Sequence, residues 1–369
     1  MHDLKTSPPI LSESNQTERK RANSTANNFN VLRFVAASLV ILSHGFELPT
    51  GLVQHDWAYE ATGRALSWYA VNAFFVISGY LIFNSWERNP SARFFLWARF
   101  LRIVPGLLVM LLVTVSVLGV FFTTLTVKDF ITSATTIKYF FGCLSIVFVK
   151  YELPGVFSSN PIHAVNGSLW TLRYEIFCYA AVAIAGCAST LNSIHIRKAG
   201  ILTCILASSL ALIWLDSRGA GNSNTRLGML YELIRLAMCF QLGAFYAAYA
   251  SLVTLRPIYV IAWAVLAITT IDSVFYTTIA NIATASLVIW FAQVPRGRWI
   301  QWYRLVPDYS YGLYIYGYPV QQATISLFPG ISISASILLS YCLALLFAAF
   351  SWHLVEKPSL SLKQRLPRF

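Results

Sequence analysis

Charge is scarce in this chain. Only 11% of its 369 residues are Asp, Glu, Lys or Arg, and 15 of them are acidic. A soluble domain carries roughly 25% charged residues, so one water-exposed globule is excluded. No pair of the 6 cysteines is spaced as CxxC, and most sit in apolar runs, where they read as small core residues. Phosphate-cradling glycine loops of the Walker and Rossmann kinds are also missing. Zinc-ribbon, dithiol-redox and nucleotide-fold chemistry therefore have no footing, and no metal site is expected. The alternating pattern of a membrane barrel does not occur either.

What is present is apolar length. Hydrophobic residues make up 57% of the chain, and mean hydropathy is +0.60. Apolar runs of about 20 residues recur along it, as spans of a bilayer require. Each span must satisfy its own backbone hydrogen bonds in lipid, so these runs are expected to be helices. The expected fold is all-α: a polytopic integral membrane bundle of about ten transmembrane helices. The spans fall at 30–48, 68–86, 103–122, 168–188, 200–215, 229–250, 257–272, 275–292, 309–327 and 332–352. Residues 1–28 are polar, rich in Ser, Asn, Thr and basic residues, and lack an apolar core with a cleavage site. They are expected to form a disordered cytoplasmic tail, with the first span acting as signal anchor. Residues 29–356 form the membrane domain and 357–369 a basic cytoplasmic tail.

Basic residues set the orientation. They cluster at Lys5 to Arg33, Arg88 to Arg102, Arg197 and Lys198, Arg256, Arg296 to Arg304, and Lys357 to Arg368. The opposite loops hold Arg64, Lys128, Lys138, Lys150, Arg218 and Arg226. The positive-inside rule then places both termini in the cytoplasm. The net charge of +12 is split among short loops, so no nucleic-acid stripe results. The partly apolar stretch 130–149 reads as re-entrant, interfacial or an eleventh helix, but an eleventh crossing would invert the charge bias of everything after it.

Ionisable groups within spans cost a few kcal/mol each and call for a reason. Arg33 and His44 are eleven positions apart on the first span. Eleven steps of a helix return to within about 20° of the same face, about 16 Å along the axis. Glu47 lies near that face, one turn further on. His44 reads either as a satisfied core residue or as the proton acceptor for a hydroxyl nucleophile. Glu175, on the fourth span, either orients that imidazole or pairs with Arg173 or Arg235. Glu232 and Arg235 are an i,i+3 pair that neutralises itself, the structural reading being favoured. Arg93, Arg99 and Arg102 lie in or beside an inner loop. They suit a phosphate-bearing donor or serve as ordinary positive-inside anchors.

At these residues the sequence resembles the acyltransferase-3 family of bacterial membrane O-acyltransferases, from residue 30 to about 358. Arg33 with His44 is similar to the family's Arg-x10-His signature, and Phe74-Phe75-Val76-Ile77-Ser78-Gly79 to its Phe-Phe-x-x-Ser-Gly block. Arg99 to Pro105 resembles Arg-x-x-Arg-Ile-x-Pro. Trp170 to Glu175 resembles Trp-Ser-Leu-x-x-Glu, with Thr171 where Ser is usual. Ser310 to Tyr314 and Glu356-Lys357-Pro358 match the closing motifs. Many members carry His where this chain has Gly317, so any role of that His is absent or relocated. No esterase-like domain follows Pro358, which implies action alone, as a homo-oligomer, or with a separate periplasmic acyl carrier.

The resemblance implies acyl transfer, with acetyl-CoA as donor and a cell-surface glycan or lipid-linked oligosaccharide as acceptor, in the bacterial inner membrane. It makes Arg33 and His44 the essential pair and puts Arg99 and Arg102 on the donor side. In the mechanism these residues suggest, Glu175 orients His44, and Arg93 joins Arg99 and Arg102 at the donor's phosphates. Direct transfer and an acyl-His44 relay both fit. A transporter or flippase of a lipid-linked sugar is the competing class, since it too uses embedded His, Glu and Arg.

Overall fold

The computed structural model describes residues 28–188, 193–222, 225–293 and 307–365. The N-terminal tail reading, the Arg296 to Arg304 loop and Arg368 lie outside them. Among the described residues the chain is helical, with no strand. Each of the ten apolar runs coincides with a long helix: α1 (Phe29–Glu47), α2 (Leu66–Arg88), α3 (Ala92–Val113), α4 (Leu172–Cys187), α5 (Ile194–Ser217), α6 (Arg226–Ala248), α7 (Pro257–Thr269), α8 (Tyr276–Gln293), α9 (Ser310–Leu327) and α10 (Ile333–Ser351). Six of these helical segments are long and apolar enough to cross a membrane: α1, α2, the continuous 92–122 helix begun by α3, α5, α6 and the 333–361 helix begun by α10.

Several helices start where the sequence supplies a cap. Ser91, Thr225 and Ser332 each accept a hydrogen bond from a backbone N–H three residues on, opening α3, α6 and α10. Pro257 opens α7, where its missing N–H has no partner to lose. Apolar side chains such as Leu206 and Leu210 on α5, Ile258 and Ile268 on α7, and Leu338 and Phe350 on α10 point outward and are more than half exposed. A soluble monomer rarely shows so large an apolar belt, but lipid accommodates one. With the six apolar helices, it makes this a multi-pass membrane protein.

Inside the belt, α2 is central and packs on α1, α6 and α8, while α9 packs on α1 and α10. The closest approach is between α2 and α6. A Cβ on Gly79 would meet the Phe240 carbonyl, and one on Gly243 the Val76 carbonyl. Glycine at both positions lets the two backbones touch, as small residues do at membrane-helix interfaces.

The 130–149 stretch is not one continuous helix. It breaks at Ser133 into two short helices, Val127–Thr132 and Ala134–Leu144. The longer, of 11 residues, rises about 16 Å against a hydrocarbon core of about 30 Å. Phe130 and Tyr139 bury their rings against the core. The basic C-terminal segment is helical over 357–365 and folds back on α3, with Lys363 Nζ 5.3 Å from the Phe94 ring centre.

Candidate active site

Arg33 and His44 mark the two ends of α1, and each end has its own cavity. His44 lies in the last turn of α1. Its Nδ1 is 3.4 Å from Glu47 Oε2, and its ring meets Tyr318 edge-on at 5.1 Å. The partner expected for His44, Glu175, is elsewhere: its Oε1 accepts from the Tyr179 hydroxyl, and it lines the Arg33 cavity. Glu47 holds the position assigned to it. The reason is spacing: Glu47 is one turn away on the same helix, whereas Glu175 had to be brought by a packing that sequence does not state. Nor does Glu175 pair with Arg173, which lies over the Tyr174 ring, or with Arg235.

The cavity beside His44 has a volume of about 250 Å³. Its walls include Glu47, Tyr59, Arg64, Trp68, Ser168, Trp170, Glu232, Arg235 and Tyr314. The Glu232–Arg235 pair is as expected, with Arg235 Nε 2.9 Å from Glu232 Oε2. It is more than a local pair, because it faces the His44 cavity. Arg235 is only 1% exposed. It also donates to Asn72 on α2, and Asn72 donates to Asn281 on α8 at 2.9 Å. The loop between α1 and α2 is clamped by Asp56, fully buried, which accepts from Ala58 N (2.9 Å), Leu66 N (2.8 Å) and Ser43 Oγ. That clamp holds the loop that brings Tyr59 and Arg64 into the cavity wall.

At the other end, Arg33 donates to Asp308 Oδ2 at 3.1 Å and Arg102 to the same oxygen at 2.8 Å. Arg102 is also 3.8 Å from Glu356 Oε2. Glu356 lies in a π-helical turn, 352–356, where its Oε1 accepts from Ser351 at 2.9 Å. Arg102 is thus committed to two carboxylates. Arg99 has no carboxylate among the described residues: its guanidinium lies over Phe95 and Tyr179, 5.9 and 5.7 Å from the ring centres. Arg93 is exposed. Of the three arginines expected at a donor, Arg93 and Arg99 keep their charge open, and Arg102 does not. Asp308 was not singled out by sequence reasoning, and Glu356 only as the first residue of a closing motif, with no role given to it. In a chain with 15 acidic residues, an acid beside the Ser310 block was the available signal.

A small cavity of about 60 Å³ at this end is lined by Arg33, Ser78, Thr171, Glu175, Ser310 and Tyr311. Val71 and Tyr314 line both cavities and form the wall between them. The Tyr314 hydroxyl donates to Ser168 O at 2.8 Å and lies 2.6 Å from Thr171 Oγ1. Gly317 faces α1: a Cβ there would sit 2.7 Å from Ile41 Cγ1. A histidine at 317 therefore clashes with Ile41 unless α1 shifts.

A family model described as an acyltransferase domain matches residues 27–355. An O-acetyl transferase of Shigella phage Sf6 is 31% identical over 345 residues, covering 90% of this chain and 95% of its own length. Nodulation protein 10 of Rhizobium leguminosarum bv. viciae is 31% identical over 169 residues, 42% of each chain. No solved structure gives a significant match.

Proposed function

We propose a donor, an acceptor and a catalytic base for a chain that belongs to the acyltransferase family and is an O-acyltransferase. The donor is acetyl-CoA, approaching from the cytoplasm at the Arg33 end. The acceptor is a hydroxyl of a surface glycan or its lipid-linked precursor, entering the His44 cavity from the other face of the inner membrane. The bundle crosses ten times with both termini inside. The basic segments gathered on the Arg33 side support that orientation, and the similarity to an O-acetyl transferase over nearly its whole length supports acetyl over other acyl groups.

The observation that carries this reading is His44 in an open cavity with Glu47 on Nδ1. With Nδ1–H donated to the carboxylate, Nε2 keeps its lone pair and serves as base. It takes the proton of the acceptor hydroxyl as the oxygen attacks the thioester carbonyl. The tetrahedral intermediate collapses by breaking the C–S bond, and the imidazolium returns the proton to the departing thiolate. In a relay, Nε2 attacks the thioester carbonyl and the C–S bond breaks to release the CoA thiolate; the acceptor oxygen then attacks the acyl-imidazolium, the N–C bond breaks, and the hydroxyl proton ends on the thiolate. Both routes give the acetyl ester and free CoA.

Arg93 and Arg99 take the donor's phosphates, a role that guanidiniums without carboxylate partners suit. Arg33 and Arg102 hold Asp308 and close the bundle behind the pantetheine arm. Because Val71 and Tyr314 stand between the two cavities, transfer requires Tyr314 to swing aside.

The test is acyl transfer by purified protein in liposomes with radiolabelled acetyl-CoA. Wild type releases or transfers label, and His44→Ala does not at equal protein level. A His44→Ala protein that still turns over the thioester sinks the assignment. Label retained on wild-type protein before acceptor is added marks the relay.

A further inference from the structure

The His44 cavity carries a second message in how its charges are arranged. Two guanidiniums line it, and each already has a carboxylate. Arg235 is held by Glu232 and Asn72. Arg64 is 3.6 Å from Asp216 and donates to the Tyr231 hydroxyl at 3.2 Å. Glu47 adds a further negative group. An anionic ligand would meet two cavity carboxylates, Glu47 and Glu232, and no guanidinium without a partner.

Hydrogen-bonding atoms outside the ion pairs, by contrast, are left over. Ser168 is 3% exposed, and its Oγ has no hydrogen-bond partner among the described residues. Its own backbone is fixed, with N held by Asn166 Oδ1 and O by Tyr314. The buried Trp68 Nε1–H likewise has no partner among the described residues, although its ring is pinned by Arg235, 4.8 Å from the centroid. Glu232 uses Oε2 for Arg235, and Oε1 has no donor among the described residues. Buried polar atoms without partners are uncommon, and each calls for an explanation. Two such donors and one acceptor around an aromatic-walled cavity next to the proposed base match a hydroxylated ligand. The volume of about 250 Å³ falls below the ~300–1,000 Å³ usual for drug-sized ligands and suits a single ring. The next chamber, about 290 Å³, shares Gly63 and Arg64 with it and gives the rest of a chain a way out.

We propose that this cavity is the subsite for the reacting sugar, that it takes a neutral pyranose and rejects uronates, and that Ser168, Trp68 and Glu232 read its hydroxyls. The proposal rests on the transferase reading above and deepens it. Acceptor hydroxyls are bound by the Ser168 Oγ, the Trp68 Nε1–H and the Glu232 Oε1, leaving one hydroxyl for His44.

The experiment supplies reconstituted protein and labelled acetyl-CoA with neutral gluco-, galacto-, manno- and 6-deoxyhexosides, each alone and as a short oligosaccharide, and with the matching hexuronosides. Wild type labels a neutral glycoside at least about ten-fold faster than any uronoside. Ser168→Ala and Trp68→Phe, which keep shape and ring, each raise acceptor KM roughly 3–10-fold, the worth of one hydrogen bond, with kcat little changed. Glu232→Gln frees Arg235 of its carboxylate and shifts the neutral-to-uronoside ratio toward the uronoside. The subsite is overturned if uronosides react as well as neutral sugars, or if neither Ser168→Ala nor Trp68→Phe moves acceptor KM. It is also overturned if no glycoside takes label while His44-dependent thioester turnover persists. Loss of that turnover in wild type sinks the transferase reading itself.

Discussion

The two ends of α1 bury the same groups in opposite company. At the His44 end, Arg235 and Arg64 answer to Glu232 and Asp216. At the Arg33 end, Arg33 and Arg102 answer to Asp308 and Glu356. Each core balances two guanidiniums with two carboxylates, as burial in low dielectric demands. What differs is the surplus. Beyond its balanced core the His44 end adds Glu47, whereas the Arg33 end adds one carboxylate, Glu175, against the three cations Arg93, Arg99 and Lys363. Burial and the nearby Arg99 and Arg88 push the Lys363 ammonium below its usual range, a sign of crowded positive charge. Paired charges tell little about a ligand; the unpaired remainder does. By that measure one end favours a polyanion and the other a neutral hydroxylated group.

The sharpest way to break this contrast is at His44. If it is the base, His44→Ala lowers acceptor-dependent transfer by about 10²–10⁴-fold. Glu47→Gln lowers it less, by roughly ten-fold, because Glu47 orients the imidazole through Nδ1. Glu175→Gln leaves transfer within about two-fold of wild type, which is below the worth of one hydrogen bond. A ten-fold loss with Glu175→Gln and none with Glu47→Gln would restore the pairing expected from sequence alone.

The second break is at the balanced core of the Arg33 end. Burial opposes the charge of Asp308, but the guanidiniums of Arg33 and Arg102 override it and hold the carboxyl well below the usual range. Such a group contributes stability that is fully present above its unfolded value of about 3.9 and is lost as pH falls below that. Asp308→Asn leaves Arg33 without a carboxylate and Arg102 with Glu356 alone, and costs about 1.5–3 kcal/mol, the worth of a hydrogen bond to a charged group. Melting in detergent shows the loss at pH 7, and acid narrows the gap to wild type as Asp308 protonates in both states. Equal melting of the two proteins at neutral pH refutes the pairing.

The first helix was the most legible part of the site. Its Arg–His spacing fixes a shared face by helix period alone, and Glu47 falls within reach by the same rule. Helix positions were legible too, because a 20-residue apolar run has few other fates. The pairings of Asp308 with Arg33, 275 positions apart, and of Arg235 with Asn72, 163 apart, were not. They depend on which helices are neighbours, and an apolar face looks alike whichever helix covers it. Glu232 and Arg235 were seen as a pair but not as a cavity wall, since periodicity gives a face and not what it faces. The cysteines divide likewise: Cys143, Cys178 and Cys239 are buried as small core residues, whereas Cys187, Cys204 and Cys342 are exposed on the outer surface.

A smaller effect sharpens the contrast in surplus charge. Arg99 has aromatic neighbours and no carboxylate among the described residues, so Arg99→Ala leaves no acid stranded. It raises acetyl-CoA KM about ten-fold, in line with one lost charge-assisted contact of about 1.5–3 kcal/mol, and leaves acceptor KM unchanged. Raising salt weakens wild-type donor binding toward that of the variant. An effect on acceptor KM instead would place Arg99 at the wrong end.

The smallest effect tests whether the two ends form one path. Tyr314 lines both cavities, and its hydroxyl is tied to Ser168 O and Thr171 Oγ1. Tyr314→Phe keeps the ring in the wall and removes the tie, at about 1 kcal/mol. The freed ring opens more often, and water reaches the thioester before the acceptor does. Acceptor-independent acetyl-CoA hydrolysis therefore rises by roughly 5-fold, the factor that 1 kcal/mol sets, while donor KM holds. Val71→Ala widens the same wall from its other side and moves hydrolysis in the same direction. If neither variant leaks, the wall is not on the path, and the donor must reach His44 by a route that bypasses the Arg33 cavity.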